Sequence, residues 1–434
     1  MKRVFTVIVA LLIIGLIAVF VLNRPDSAAG AAPAIAGAPA SSDPVARGEY
    51  LVKAADCVAC HTVPDSGKPF AGGVAFRLPF GTIYSSNITP DPKVGIGAYT
   101  DDEFVRAVRE GIRRDGQHLY PAFPYTSYTE LSRDDVLAIR AYLKTLPAIA
   151  EPNRANDLGF PFNQRWAMSF WNAAFFKSRR FVPDASKPEQ WNSGAYLATA
   201  LGHCGECHTP RNFGFGLEHG HELAGEELQG WRAYNITSDA KYGIGAWSDA
   251  DIAAYLTTGH APEHASASGP MGEAVAHSLQ FLNPQDAAAL VAYLRTVPAH
   301  QGKHPVEVDS KAAALASSTP MLPASDELTA DTQGLQLFEG ACASCHQWNG
   351  PGRESPYASL AGTRGVNDPR AVNVTQVILQ GARYRVGDSE VFMPAFGDAY
   401  SDTEVSALAN YVVAHFGGKQ GTVTPEEVAK RRQL

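Results

Sequence analysis

No cysteine in this 434-residue chain lies outside a C-x-x-C-H motif. With all six committed, none remains for a disulfide, and cysteine usage alone assigns no redox compartment. Methionine is scarce as well. The five are Met1, Met168, Met271, Met321 and Met393, so any role that needs a thioether has few candidates. Positive charge is not in excess: 36 Lys and Arg stand against 44 Asp and Glu, a net charge of −8. That balance argues against a nucleic-acid partner. It suits either partner choice by surface charge or plain solubility. Long apolar runs are absent save one. Lys2 and Arg3 precede Val4 to Leu22, interrupted only by Thr6 and Gly15. About 20 apolar residues span a bilayer core, whereas the apolar part of a signal peptide is about 7–15 residues. Asn23-Arg24-Pro25-Asp26 follows, with no small-residue cleavage site directly after the run. An uncleaved membrane anchor over residues 1–24 is the expectation, with a signal peptide removed near Ala36 to Ala40 as the alternative. Either way the positive end stays inside and the rest lies beyond the cytoplasmic membrane, facing the periplasm.

The motifs are Cys57-Val58-Ala59-Cys60-His61, Cys204-Gly205-Glu206-Cys207-His208 and Cys342-Ala343-Ser344-Cys345-His346. C-x-x-C-H is the attachment signature of c-type haem: two thiols form thioethers and the adjacent His ligates iron from one face. Zinc knuckles, redox dithiols and disulfides would leave the three histidines unexplained. Three covalently bound haem c groups follow, on Cys57/Cys60, Cys204/Cys207 and Cys342/Cys345, with His61, His208 and His346 as iron ligands. A chain of this length holds about three domains, and the motifs recur at intervals of 147 and 138 residues.

Three repeats carry them. Each opens on a helix with Gly and an aromatic ahead of the motif: Gly48 and Tyr50, Gly194 and Tyr196, Gly334 and Phe338. Each closes on a helix of 3.6 periodicity, begun by Ser132, Asn283 or Ser401 with acidic residues just after. A mainly α fold is expected: three tandem class I cytochrome c domains preceded by an N-terminal transmembrane helix. The boundaries are a linker at 25–44 rich in Ala, Pro, Gly and Ser, domain 1 at 45–150, an aromatic-rich connector at 151–190 and domain 2 at 191–299. A linker at 300–328, domain 3 at 329–418 and a tail at 419–434 complete the chain. In the tail, Thr424-Pro425-Glu426-Glu427 reads as a helix start. Domains 1 and 2 share a further segment. Asn87-Ile88-Thr89 with Gly95-Ile96-Gly97 matches Asn235-Ile236-Thr237 with Gly243-Ile244-Gly245. The triplets fit the N-glycosylation pattern. Recurrence at a nearly fixed distance from the haem motif favours a shared loop at the haem edge instead. The connector either packs between domains or forms a surface for a partner subunit, a membrane or a quinone.

Electron-transfer haem usually carries Met opposite His. Met271 lies twelve residues after Gly259, and Met393 twelve after Gly381, so both are read as axial ligands. Gly111 plus twelve is Phe123, which cannot ligate iron. Three outcomes stay open for the first haem. His118 swings in, or the site is open beneath Phe123, or Met168 or another distant residue supplies the ligand. The plainer role for His118 is contact with the haem edge.

Over residues 45–434 these motifs, with Ser268-Gly269-Pro270-Met271 and Met393-Pro394-Ala395-Phe396, make the chain resemble the triheme cytochrome c subunit of membrane-bound periplasmic dehydrogenases. That group serves alcohol, aldehyde, gluconate and sorbitol dehydrogenases. The resemblance implies a catalytic partner subunit with PQQ, flavin or molybdenum cofactor, room for a small additional subunit, and electrons passing through the haems to ubiquinone or a terminal oxidase. Met stands where Phe123 is in the family pattern, so the first haem departs from a simple relay. Two other readings remain beside it: a free-standing membrane-tethered carrier, and a haem enzyme or gas-binding site at an open first haem with His118 as distal acid/base.

Overall fold

The computed structural model describes residues 32–39, 42–307, 330–353 and 355–433. The anchor expected at 1–24 and most of the linker expected at 300–328 lie outside them. Among the described residues no helix is long and apolar enough to cross a membrane. The chain is mainly helical with short hairpins, and it divides into two compact units.

The first unit holds the described residues up to Val52, Cys60–Glu206 and Arg211–Leu217. Its helices are α1 (Pro44–Ala54) apart from its last two residues, the Cys60–His61 end of α2 (Cys57–His61), which carries the first motif, α3 (Asp101–Glu110), α4 (Tyr125–Tyr128), α5 (Arg133–Leu143), α6 (Met168–Phe175) and α7 (Glu189–Tyr196). Gly48 lets α1 cross α5 at backbone distance: a Cβ there would meet the Ala138 carbonyl oxygen at 1.9 Å. Ser132 caps α5 by accepting from the Asp135 amide at 3.1 Å, as its position in the sequence suggests. A small antiparallel sheet, β1 (Ala75–Leu78), β2 (Gly81–Tyr84) and β3 (Asp157–Leu158), has the register Phe76↔Ile83 and Gly81↔Leu158. Helix α7 runs into one π-helical turn, Leu197–Leu201, and then the second motif, part of which forms α8 (Gly205–His208).

The second unit holds Lys53–Ala59, Cys207–Pro210 and Glu218–Leu434. It contains α9 (Asp249–Thr258), α10 (Gly269–His277), α11 (Pro284–Leu294), α12 (Ala330–Leu337), α13 (Ala343–His346), α14 (Val372–Gln380), α15 (Asp402–Gly417) and α16 (Pro425–Arg431). Its hairpins pair β4 (Glu226–Leu228) with β5 (Trp231–Ala233), β6 (His260–Ala261) with β7 (Ala265–Ser266), and β8 (Ala382–Val386) with β9 (Ser389–Met393). Helices α12 and α15 cross at Gly334, where a Cβ would meet the Ala407 carbonyl oxygen at 2.4 Å. The core around this crossing gathers Phe338, Val405, Leu408, Val412, Val413 and Phe416. Capping boxes begin α15 at Ser401/Glu404 and α16 at Thr424/Glu427. The tail helix anticipated at Thr424 is therefore present, with Val428 fully buried against the same core.

Candidate functional site

The three motif histidines share one geometry. His61 Nδ1 lies 2.6 Å from the Ser86 carbonyl oxygen, His208 Nδ1 2.6 Å from that of Tyr234, and His346 Nδ1 2.7 Å from that of Ala358. A carbonyl only accepts, so each Nδ1 carries its proton and donates. Each Nε2 keeps its lone pair, and the ring is fixed in orientation, which is what an iron-ligating imidazole needs. Burial holds all three rings below the usual histidine pKa, in the neutral form that binds metal. Two cysteines and such a histidine, within a single helical turn or two, are the donor set that covalent haem c requires.

Ser86 and Tyr234 immediately precede Asn87 and Asn235. The repeated Asn-Ile-Thr segment is thus the strut behind the first two histidines. Asn87 is buried, donating to the carbonyls of Ile149 and Glu151 while its own oxygen accepts from Thr89. Asn235 repeats this with the His300 carbonyl and Thr237. Buried amides of this kind exclude the glycosylation reading. The third motif uses a different loop, around Ala358, so the triplet does not recur behind His346.

The three glycines twelve residues ahead of Phe123, Met271 and Met393 share a place in the chain, left-handed at Gly111 and Gly259 but with ψ of −166° at Gly381. Gly111, Gly259 and Gly381 each end a helix with positive φ. Beyond them the first two repeats run alike. The Gly111 carbonyl accepts from Leu119 and the Gly259 carbonyl from Ala267, both at 2.7 Å. Ile112 bridges His118 as His260 pairs with Ser266. Repeat three diverges into the long β8–β9 hairpin. Met393 ends β9, and Met271 is the third residue of α10. The equal offset of twelve is therefore reached by two backbone paths. Phe123, by contrast, follows a path like that of Met271 for its first eight residues.

His118 occupies the position of Ser266 in this register. Tyr125 donates its hydroxyl to Asn172 Oδ1 at 2.6 Å, which turns the amide nitrogen toward His118 Nδ1 at 3.1 Å. Nδ1 is then an acceptor, and the ring proton sits on Nε2. Arg165 donates to the His118 carbonyl at 2.7 Å. Met168 is buried with Ile83, Tyr120 and Leu158 and serves as core.

One residue within the second motif had no role assigned from sequence. Glu206 is buried; its carboxylate accepts from Thr126 and from Ser127 (3.0 Å) of α4, and pairs with Arg211 at 2.9 Å. Nearby, the Phe123 ring meets Tyr128 at 5.5 Å, and Tyr128 meets His203 edge-on at 5.5 Å. The loop after Phe123 is thereby tied to the start of the second motif. The available signal was composition: the other motifs place Val-Ala and Ala-Ser between their cysteines, and this one places Gly-Glu.

Residues 45–147 match the family model described as cytochrome c, and residues 329–412 that described as cytochrome c oxidase, cbb3-type, subunit III. The fructose dehydrogenase cytochrome subunit of Gluconobacter japonicus is 41% identical over 401 residues, covering 89% of this chain and 82% of that protein. The gluconate 2-dehydrogenase cytochrome c subunit of Pantoea cypripedii is 35% identical over 404 residues, with 90% and 89% covered. The cytochrome c subunit of the alcohol dehydrogenase (quinone) of Gluconobacter oxydans (strain 621H) is 35% identical over 402 residues, with 89% and 82% covered. This chain belongs to the same family, the cytochrome c subunits of dehydrogenase complexes.

Proposed function

We propose that the chain carries three covalently bound haem c groups and passes electrons from a dehydrogenase catalytic subunit to ubiquinone or a terminal oxidase. It works from the periplasmic side of the cytoplasmic membrane, held there by Val4–Leu22. The haem supplies one-electron exchange at its iron, at a potential tuned by axial ligand and burial. The chain's own residues attach and orient it. Cys57/Cys60, Cys204/Cys207 and Cys342/Cys345 form the thioethers. His61, His208 and His346 offer Nε2 to iron, and Met271 and Met393 offer thioethers to the second and third. The observation that carries this reading is the set of three backbone carbonyls, each fixing Nδ1–H of a motif histidine.

At the first site Phe123 replaces the ligand, and His118 is a hydrogen-bond donor through Nε2 rather than a ligand. The test is low-temperature EPR of the oxidised full-length protein beside two variants. A high-spin signal of one haem is expected, converting to low-spin in Phe123→Met and unchanged in spin state in His118→Ala. Three low-spin haems in the parent, with one turning high-spin in His118→Ala, would overturn the assignment. A pyridine haemochrome titration giving two haems per chain would overturn the triheme count.

A further inference from the structure

Six of the eleven large apolar side chains exposed among the described residues fall in two short stretches of the first unit. Exposure is therefore clustered, and clustered apolar surface marks an interaction site. Phe160 is 81% exposed, Trp166 66%, Phe170 64% and Phe213 96%, with Phe162 and Phe215 beside them. Ring contacts join the two stretches. Phe162 stacks on Phe80 at 4.4 Å, and Phe80 meets Phe215 at 5.4 Å. Phe175 packs between Trp171 and Phe213, and Trp171 donates to the Gly214 carbonyl at 2.7 Å. The surface is held in place by structure.

From these observations we infer that this aromatic face inserts into the headgroup region of the bilayer and sets the orientation of the first unit on the membrane. The inference rests on Val4–Leu22 being a membrane anchor. Two further observations select lipid as the occupant. The first is charge. Residues 158–183 contain no Asp or Glu but hold Arg165, Lys177, Arg179 and Arg180, in a chain of net charge −8. Arg179 and Arg180 pair with Glu130 and Glu110, at 2.5 and 3.9 Å. Lys177 is exposed, and Arg165 lies over the Tyr120 ring. Trp and Phe flanked by cations suit the membrane–water interface and anionic headgroups. The second is reach. Ile35 is buried on this unit, and the Ala34 carbonyl accepts from Ser193 at 2.6 Å. Twelve residues separate Leu22 from Ile35, which fully extended span at most roughly 45 Å. The unit bearing the aromatic face is therefore held within that distance of the anchor.

The test uses site-directed labels, which the chain permits because its six native cysteines are taken up by haem. Full-length haem-loaded Trp166→Cys, Phe213→Cys and Asp134→Cys proteins are labelled with an environment-sensitive fluorophore. Each is reconstituted into phosphatidylethanolamine/phosphatidylglycerol vesicles with and without acyl-brominated lipid. The brominated-to-plain intensity ratio cancels the constant quenching by haem. Intensity is expected to fall about twofold at positions 166 and 213 and to stay level at 134. Flotation of the same samples reads the anchor separately. Protein that floats with no quenching at 166 and 213 overturns the proposal and leaves the anchor intact. Protein that does not float overturns both. Labels already blue-shifted in the purified dehydrogenase complex, and unquenched after reconstitution, would assign the face to a protein partner and overturn it as well.

Discussion

A single acceptor atom decides what each motif histidine can do. Because Ser86, Tyr234 and Ala358 contribute backbone carbonyls, the tautomer is set by loop geometry and no side-chain substitution removes the acceptor directly. The same scale exposes Glu206 as a structural dependency. Its carboxylate is buried and answers two hydroxyls and one guanidinium. Removing one partner of a buried charged network costs about 3–5 kcal/mol, because the other charge is left uncompensated. Glu206→Ala should therefore destabilise the haem-loaded protein by about 3 kcal/mol or more, read by thermal unfolding followed in the Soret band. Haem stoichiometry should stay unchanged, since the position lies between the cysteines and makes no bond to haem. A variant that unfolds at the parent temperature would show that Thr126, Ser127 and Arg211 are satisfied by water.

Elements follow from local rules, and those were legible. Ser132, Asn283, Ser401 and Thr424 were readable as helix starts because a cap acts on an amide two or three residues away. Gly48 and Gly334 were visible as recurring features, and the crossing of backbones explains them. An added methyl at either has nowhere to go, since it faces a carbonyl oxygen of a rigid helix rather than a flexible side chain. Overpacking of this kind costs about 1–3 kcal/mol and occasionally more. Gly48→Ala and Gly334→Ala should each fall at or above the upper end, measured by denaturant unfolding of the haem-loaded protein. Gly340→Ala, where a Cβ meets nothing within 4 Å, should lie within about 0.5 kcal/mol of the parent. The hairpins were not legible. Strands of two to five residues are too short for alternation to register. The offset of twelve to Met271 and Met393 therefore looked like one loop repeated, when two different paths produce it.

At the scale of the whole molecule, the joining of repeats two and three is invisible in sequence, because it depends on residues more than a hundred positions apart. Arg364 is buried and donates to the carbonyls of Asn235, Tyr242 and Gly243, so a side chain of the third repeat grips the Asn-Ile-Thr and Gly-Ile-Gly loop of the second. Burial brings its pKa down to about 10, which leaves it charged at neutral pH. Arg232 and Asp368 add a buried ion pair at 2.7 Å. Tyr384 of β8 lies against Gly272 of α10 and donates to the Ala267 carbonyl at 2.9 Å. The gripped loop is the one whose Tyr234 carbonyl holds His208, so the third repeat braces the histidine of the second motif. Arg364→Met keeps much of the side-chain bulk and strands three carbonyls, each costing about 1–3 kcal/mol when unsatisfied. Arg364→Lys offers a point charge in place of a planar fork and cannot reach all three in their arrangement. Hydrogen exchange of the full-length protein should show residues 234–245 and 364–368 losing protection together in Arg364→Met, with a smaller loss in Arg364→Lys. Unfolding of this unit should broaden or split in the Met variant, since its two repeats would no longer melt as one. Unchanged protection in both variants would place the joining energy in Tyr384 and the Arg232–Asp368 pair instead. Tyr384→Leu would then be the variant that separates the repeats.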